Sequence, residues 1–318
     1  MRFALQIMPL PKIIFAGAGE FGVPTLERLV ARGFPIARVY TQPDKPAGRG
    51  HTLTPTPVGK FALEQKLDLV RTVDLNSENL PSADLLLIIA FGQKLSQELV
   101  SKPTFGAINL HASRLPKFRG AAPINWAVIE GEEITGNSII RIADRMDAGN
   151  VLGMSEIEIG ELETAGEIHD RLARDGAELV ERVINELSNG RAVEVEQDHG
   201  RATRAKKLSR ELAVIDWTRP AKSIANQIRG MFPWPGIRVK LIESSGNVLD
   251  RFTLIRARCV GTTRHESPGF IDGFGRITSG EGEVEIVELQ PEGKRPMSLE
   301  AYRNGKPWPV GARLESVT

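Results

Sequence analysis

Residues 84–90 read Asp-Leu-Leu-Leu-Ile-Ile-Ala, an unbroken apolar run behind one aspartate. A strand built from it has no polar face to offer water, so it must be covered on both sides. Burial on both faces belongs to the central strands of a parallel sheet flanked by helices. The first 190 residues supply the companions. Lys12-Ile13-Ile14-Phe15-Ala16 reads as a strand, and Gly17-Ala18-Gly19-Glu20-Phe21-Gly22 turns it into an amphipathic helix that stops at Gly33. Further strands are predicted at 36–41, 69–71, 106–110 and 135–145, with a hairpin partner at 151–159. Helices are predicted at 57–66, 122–130 and 164–189, the last closing at Asn189-Gly190. This alternation predicts an α/β fold with a doubly wound, mostly parallel, Rossmann-like sheet.

Residues 17–22 match the G-x-G-x-x-G dinucleotide pattern. The strand that follows ends in Tyr40-Thr41-Gln42, where that pattern needs an acidic residue for the ribose. A dehydrogenase reading therefore rests on the glycines alone, and small residues serve any tight strand-to-helix turn.

The second half differs in character. Residues 1–200 carry 21 Lys+Arg against 27 Asp+Glu, a net of −6, whereas 201–318 carry 20 against 13, a net of +7. Such asymmetry points to nucleic-acid or membrane contact by one half, beside the plain alternative of charge for solubility. Residues 201–210 hold five basic residues and no acid, as a linker would. A helix near 220–231, Pro233-Trp234-Pro235-Gly236, and short strands at 237–242, 252–260, 268–272 and 283–289 predict a small β-barrel of the OB type. An Ig-like sandwich would show a similar pattern. The expected division is 1–200, a linker at 201–212, and 213–318. One cysteine, Cys259, excludes an internal disulfide, and five histidines without HxxxH or HExxH spacing give no metal site. Residues 1–11 lack a secretory signal and no run reaches the roughly 18 apolar residues of a membrane span, so a cytoplasmic protein is expected.

The chemistry concentrates in residues 105–126, FGAINLHASRLPKFRGAAPINW. Asn109 and His111 are two apart on a strand and share a face, at a carboxyl end where open α/β sheets bind ligands. Alone, the pair reads better as a strand cap with a hydrogen-bonded core histidine. Asp147 follows a second strand; beside His111 it would accept from one imidazole nitrogen and leave the other for proton transfer. Asn109 would donate to an oxygen gaining negative charge. Such a trio suits acyl transfer to an amine through a tetrahedral intermediate. The 42–57 loop, QPDKPAGRGHTLTPTP, is longer than most strand-to-helix connections and projects Lys45, Arg49 and His51.

These residues resemble the folate-dependent formyltransferase family, and within it the methionyl-tRNA formyltransferases. Residues 109–116, NLHASRLP, are similar to the family motif N-x-H-x-S-L-L-P, and Arg119-Gly120-Ala121-Ala122-Pro123 and Asp147-Ala148-Gly149 to its next two blocks. Those blocks are shared with formyltransferases acting on sugars or purine precursors. Residues 41–50, TQPDKPAGRG, resemble the insertion loop of the tRNA enzymes, Lys206-Lys207-Leu208 their basic linker, and Pro233-Trp234-Pro235-Gly236 with 289–298 their C-terminal domain.

The resemblance implies a translation-initiation enzyme that moves a formyl group from 10-formyltetrahydrofolate, without a metal, to the α-amino group of methionyl initiator tRNA. It implies that Asn109, His111 and Asp147 are catalytic. Folate would be met by Phe91, Gly92, Ser113, Arg114, Leu115 and Pro116, and tRNA by Lys45, Arg49, Lys206, Lys207 and Lys294. A monomer is expected. Three departures stand: Arg114 replaces the family's usual leucine, Ala18-Gly19-Glu20 replaces its Thr-Pro-Asp, and residues 1–11 extend beyond its usual start. A sugar-nucleotide N-formyltransferase and a non-catalytic RNA-binding protein are the remaining alternatives.

Overall fold

The computed structural model describes residues 9–47, 52–261 and 267–317. Two compact units emerge, the first made of Met1–Arg119, Gly136–Glu156 and Asp170–Thr203, the second of Gly120–Thr135, Ile157–His169 and Arg204–Thr318. No single cut in sequence separates them. Among the described residues no helix is long and apolar enough to cross a membrane.

The first unit is built on seven strands: β1 (Ile13–Gly17), β2 (Ile36–Thr41), β3 (Leu69–Arg71), β4 (Leu85–Ile89), β5 (Ala107–His111), β6 (Ser138–Arg141) and β7 (Val151–Met154). Their order is β7-β6-β5-β4-β1-β2-β3. The pairs among β1 to β5 are parallel, so their carboxyl ends share one edge. The apolar run at 84–90 is β4, with Leu85, Leu86, Leu87 and Ile89 fully buried between β1 and β5. Each such side chain contributes about 1.5–3 kcal/mol through lost apolar surface. The turn after β1 needs glycine at Gly17, where a Cβ would lie 2.9 Å from the carbonyl oxygen of Ile89.

β6 runs antiparallel to β5, with Ser138 opposite His111 and Arg141 opposite Ile108, and β7 runs antiparallel to β6. The predicted strands at 135–145 and 151–159 are each interrupted. Ile134–Thr135 pairs with Ile157–Glu158 as a separate ribbon counted with the second unit, and the chain leaves the sheet after Arg141.

In the second unit, β8 (Ile237–Ile242), β9 (Val248–Val260), β10 (Ile277–Thr278), β11 (Glu283–Pro291) and β12 (Arg313–Ser316) form an antiparallel sheet ordered β10-β11-β9-β8-β12. Phe270 bridges to Arg313 and Ile271 to Ile277, which draws the two outer strands together into a nearly closed barrel. Closure removes the open strand edges that would otherwise template pairing with another chain. The barrel interior is apolar, with Val239, Leu254, Ile277 and Leu289 fully buried. Helices Pro123–Ile129 and Ala221–Gly230 belong to this unit, and the Asn125 amide donates to the carbonyl of Gly230 at 2.8 Å. Within the sequence segment 201–212, Ala205 and Leu208 are buried, while most of the other residues are exposed.

The long helix Ala165–Ser188 starts with a capping box. Thr164 donates from its amide and its hydroxyl to Glu167 Oε2 at 2.9 Å each, and the Glu167 amide returns a bond to Thr164 Oγ1 at 3.4 Å. Arg256 on β9 takes both carboxylate oxygens of Glu167 at 2.7 Å, and Glu288 at 2.6 Å. The guanidinium first, and then the Thr164 donors, hold the Glu167 carboxyl down at about 2 against its partial burial.

Candidate active site

His111 ends β5 and is 6 % exposed; Asn109, two residues earlier on the same face, is half-buried. His111 Nε2 lies 2.9 Å from the carbonyl oxygen of Phe118. A carbonyl can only accept, so this nitrogen carries the hydrogen. Nδ1 is left, and it lies 3.7 Å from Asp147 Oδ1, longer than a hydrogen bond. The arrangement departs from the one expected of the sequence. The backbone at Phe118, not Asp147, sets the tautomer, and the nitrogen available for proton transfer is the one that looks toward the carboxylate.

Asp147 reaches this position from the far side. Because β6 is antiparallel, its carboxyl end lies opposite Ile108, three residues before His111. The 142–150 loop must therefore return along the sheet. Gly149 permits the close passage, since a Cβ there would sit 1.9 Å from the carbonyl oxygen of Arg141. Asp147 itself has φ 52°, Phe118 61° and Ala90, at the end of β4, 47°. Three non-glycine residues in the left-handed region around one site are conformations held by their surroundings, as strained backbone at functional sites is. For Phe118 the surroundings are its bond to His111 and a 2.8 Å bond from its amide to Thr203 Oγ1.

The residues that the resemblance assigns to folate line the same edge of the first unit. Phe91 is buried and its carbonyl oxygen accepts from Gln42 Nε2 at 2.8 Å, which ties the end of β4 to the end of β2. A Cβ on Gly92 would lie 3.0 Å from that same nitrogen. Lys45 is exposed and donates to Gln42 Oε1 at 3.2 Å. Ser113 is fully buried; its hydroxyl donates to the carbonyl of Lys117 at 2.6 Å and its own carbonyl accepts from Ser138 Oγ at 2.7 Å. Ser138 Oγ also accepts from the Leu115 amide at 3.1 Å, so these bonds shape the 113–117 turn. Leu115 is buried and Pro116 half-buried. Arg114 forms an ion pair with Glu156. Lys206, Lys207 and Lys294 are exposed on the second unit. Arg49 lies outside the described residues.

Sequence reasoning named Arg119 within a family block without giving it a role, and did not single out Gln197 at all. Gln197 is buried between Arg119 and the Asp147 loop, and burial together with the nearby Arg145 lowers the Arg119 guanidinium from its ordinary range. One glutamine in the polar stretch 194–199 carries no signal of this.

Residues 11–184 match the formyl transferase family model and residues 207–307 the model for its C-terminal domain. The methionyl-tRNA formyltransferase of Bacillus mycoides is 36% identical over 314 residues, covering 95% of this chain and 98% of the relative. That of Agathobacter rectalis is 37% identical over 304 residues, covering 92% and 96%. Among solved structures, an N-formyltransferase from Helicobacter canadensis, determined with folinic acid and dTDP-3-aminofucose, superposes with a TM-score of 0.65 at 16% identity, over 88% of this chain and 98% of its own. HypX from Aquifex aeolicus, determined with tetrahydrofolic acid, gives a TM-score of 0.57 at 16% identity over 93% of this chain and 47% of its own. At these identities the two structures speak for the fold; the sequence relatives and the two family models speak for descent. The chain belongs to the formyl transferase family, in the branch that includes the bacterial methionyl-tRNA formyltransferases.

Proposed function

We propose that this enzyme transfers the formyl group of 10-formyltetrahydrofolate to the α-amino group of methionyl initiator tRNA. The observation that carries the reading is His111, anchored at Nε2 by Phe118 with Nδ1 turned toward Asp147, beside Asn109 at a parallel-strand edge. The amine nitrogen attacks the formyl carbon and a C–N bond forms. The carbonyl oxygen becomes an oxyanion, which the Asn109 amide stabilises by donating to it. His111 takes the amine proton at Nδ1, and the imidazolium then stands against the Asp147 carboxylate. Collapse of the tetrahedral intermediate breaks the bond to the folate nitrogen, which leaves with that proton.

Folate is placed at the ends of β4 and β5, against Phe91, Gly92, Leu115 and Pro116 and the turn closed by Ser113. Arg114, already paired with Glu156, contributes its backbone to that turn. The basic side chains Lys45, Arg49, Lys206, Lys207 and Lys294 meet tRNA phosphates, which position an RNA without reading its sequence. The test is formylation of charged initiator tRNA with the folate donor supplied and omitted. Donor-dependent formyl-methionyl-tRNA is expected. Formylation of an amino-sugar nucleotide in its place would overturn the reading.

A further inference from the structure

The side chain of Gln197 bonds twice to the loop carrying Asp147. It is 6 % exposed, and its amide makes every bond it has. Nε2 donates to the carbonyl oxygen of Asp147 at 2.9 Å and to that of Gly149 at 2.7 Å. Oε1 accepts from Arg119 Nε at 3.1 Å and Nη2 at 2.6 Å. The amide cannot be turned over, because its oxygen would then face two carbonyl oxygens and its nitrogen a guanidinium. Arg119 Nη2 also donates to His199 Nδ1 at 2.8 Å.

The backbone explains how a glutamine arrives there. Val151 and Val195 exchange both amide-to-carbonyl bonds, at 2.8 and 2.9 Å, as an antiparallel pair does. The same register sets residue 197 opposite residue 149. At that level the loop leaves the ladder, and the side chain of Gln197 takes the carbonyls that a strand would otherwise have paired. A loop of nine residues with a left-handed aspartate at its tip is thereby held at two points on either side of Ala148.

We infer that Gln197 is a positioning residue for formyl transfer: its buried amide fixes the Asp147 turn at its station opposite His111 Nδ1 and locks Arg119 to the same turn. This rests on the proposed reading of Asn109, His111 and Asp147 as the reaction centre. The two ends of the amide have separable tasks. Gln197→Glu keeps an acceptor for Arg119 and loses both donors to the turn, and Gln197→Met loses both ends at similar volume.

The experiment measures kcat, KM for donor and for charged tRNA, thermal midpoint, and hydrogen exchange across residues 146–149 in the full chain and both variants. Displacement of a reacting group by about an ångström costs up to roughly 100-fold. Both variants are expected to lose about 10- to 100-fold in kcat, with both KM values within about threefold of the parent. Exchange at 146–149 should quicken while exchange in β5 stays the same. A loosened turn with undiminished kcat overturns the inference, as does a kcat loss with an unchanged turn, or one tracked by an equal loss of folded protein. A parent enzyme that formylates no charged tRNA overturns the function reading itself, and this inference with it.

Discussion

His111 and Phe118, seven residues apart, are joined by a 2.9 Å bond from the imidazole Nε2 to a backbone carbonyl oxygen. This bond decides which nitrogen can work. In the proposed mechanism Nδ1 is the atom for proton transfer, and His111→Ala should lower the single-turnover formylation rate by about 10²–10⁴-fold. tRNA affinity, read by filter binding, should stay the same. A variant with full rate would remove His111 from the mechanism.

Asn109→Ala takes away the donor assigned to the oxyanion. Loss of one such donor costs about 10²–10³-fold in kcat. The donor KM should change little, since the charge it meets exists only in the intermediate. A loss confined to KM would assign Asn109 to binding instead.

Arg114 stands where the family usually has leucine, and its guanidinium is answered by Glu156, with the Arg114 side chain 41% exposed. Exposed pairs are worth about 0–1 kcal/mol. Arg114→Leu should therefore leave the donor KM within about fivefold. A larger rise would mean that the guanidinium reaches the folate.

Acid should find Glu167. Its carboxyl sits at about 2 in the fold against an ordinary 4.5, so its contribution is complete above about 4.5 and disappears as the pH falls toward 2. With 44% of the side chain exposed, the contribution is about 1 kcal/mol after screening. Urea unfolding between pH 5 and pH 3 should show the wild type losing roughly half of that relative to Glu167→Gln. Parallel curves for the two proteins would refute the assignment.

Lys206 and Lys207 are exposed, and the proposed function puts them against phosphates. Changing both to alanine should weaken tRNA binding and lower the slope of log affinity against log salt by about 1.5. An unchanged slope would place the RNA elsewhere.

Much of the first unit was legible because its signals are local. An apolar run without alternation has one home, and it became β4. The two-residue spacing of Asn109 and His111 placed them on one face without any tertiary knowledge. What was not legible depends on chain reversal. Asp147 was read as sitting at a strand end beside His111, yet β6 is antiparallel and the carboxylate arrives by a returning loop. Phe118 was given no role from the sequence, and its contribution is a carbonyl oxygen, which every residue possesses. Gln197 is silent for a like reason: its two acceptors on the Asp147 loop are backbone carbonyls, and backbone groups leave no trace in residue identity.

The interleaving of the two units has a consequence for how this protein can be rearranged. Residues 120–135 and 157–169 lie between pieces of the first unit but fold with the second, and Trp126 and Ile129 rest on its core. A fragment ending near residue 203 would carry those side chains with nothing to cover them, and the remainder would lack a wall of its own interior. The halves are not cassettes. A single crossover with a relative near residue 203 would leave pieces of the second unit on the wrong side of the cut.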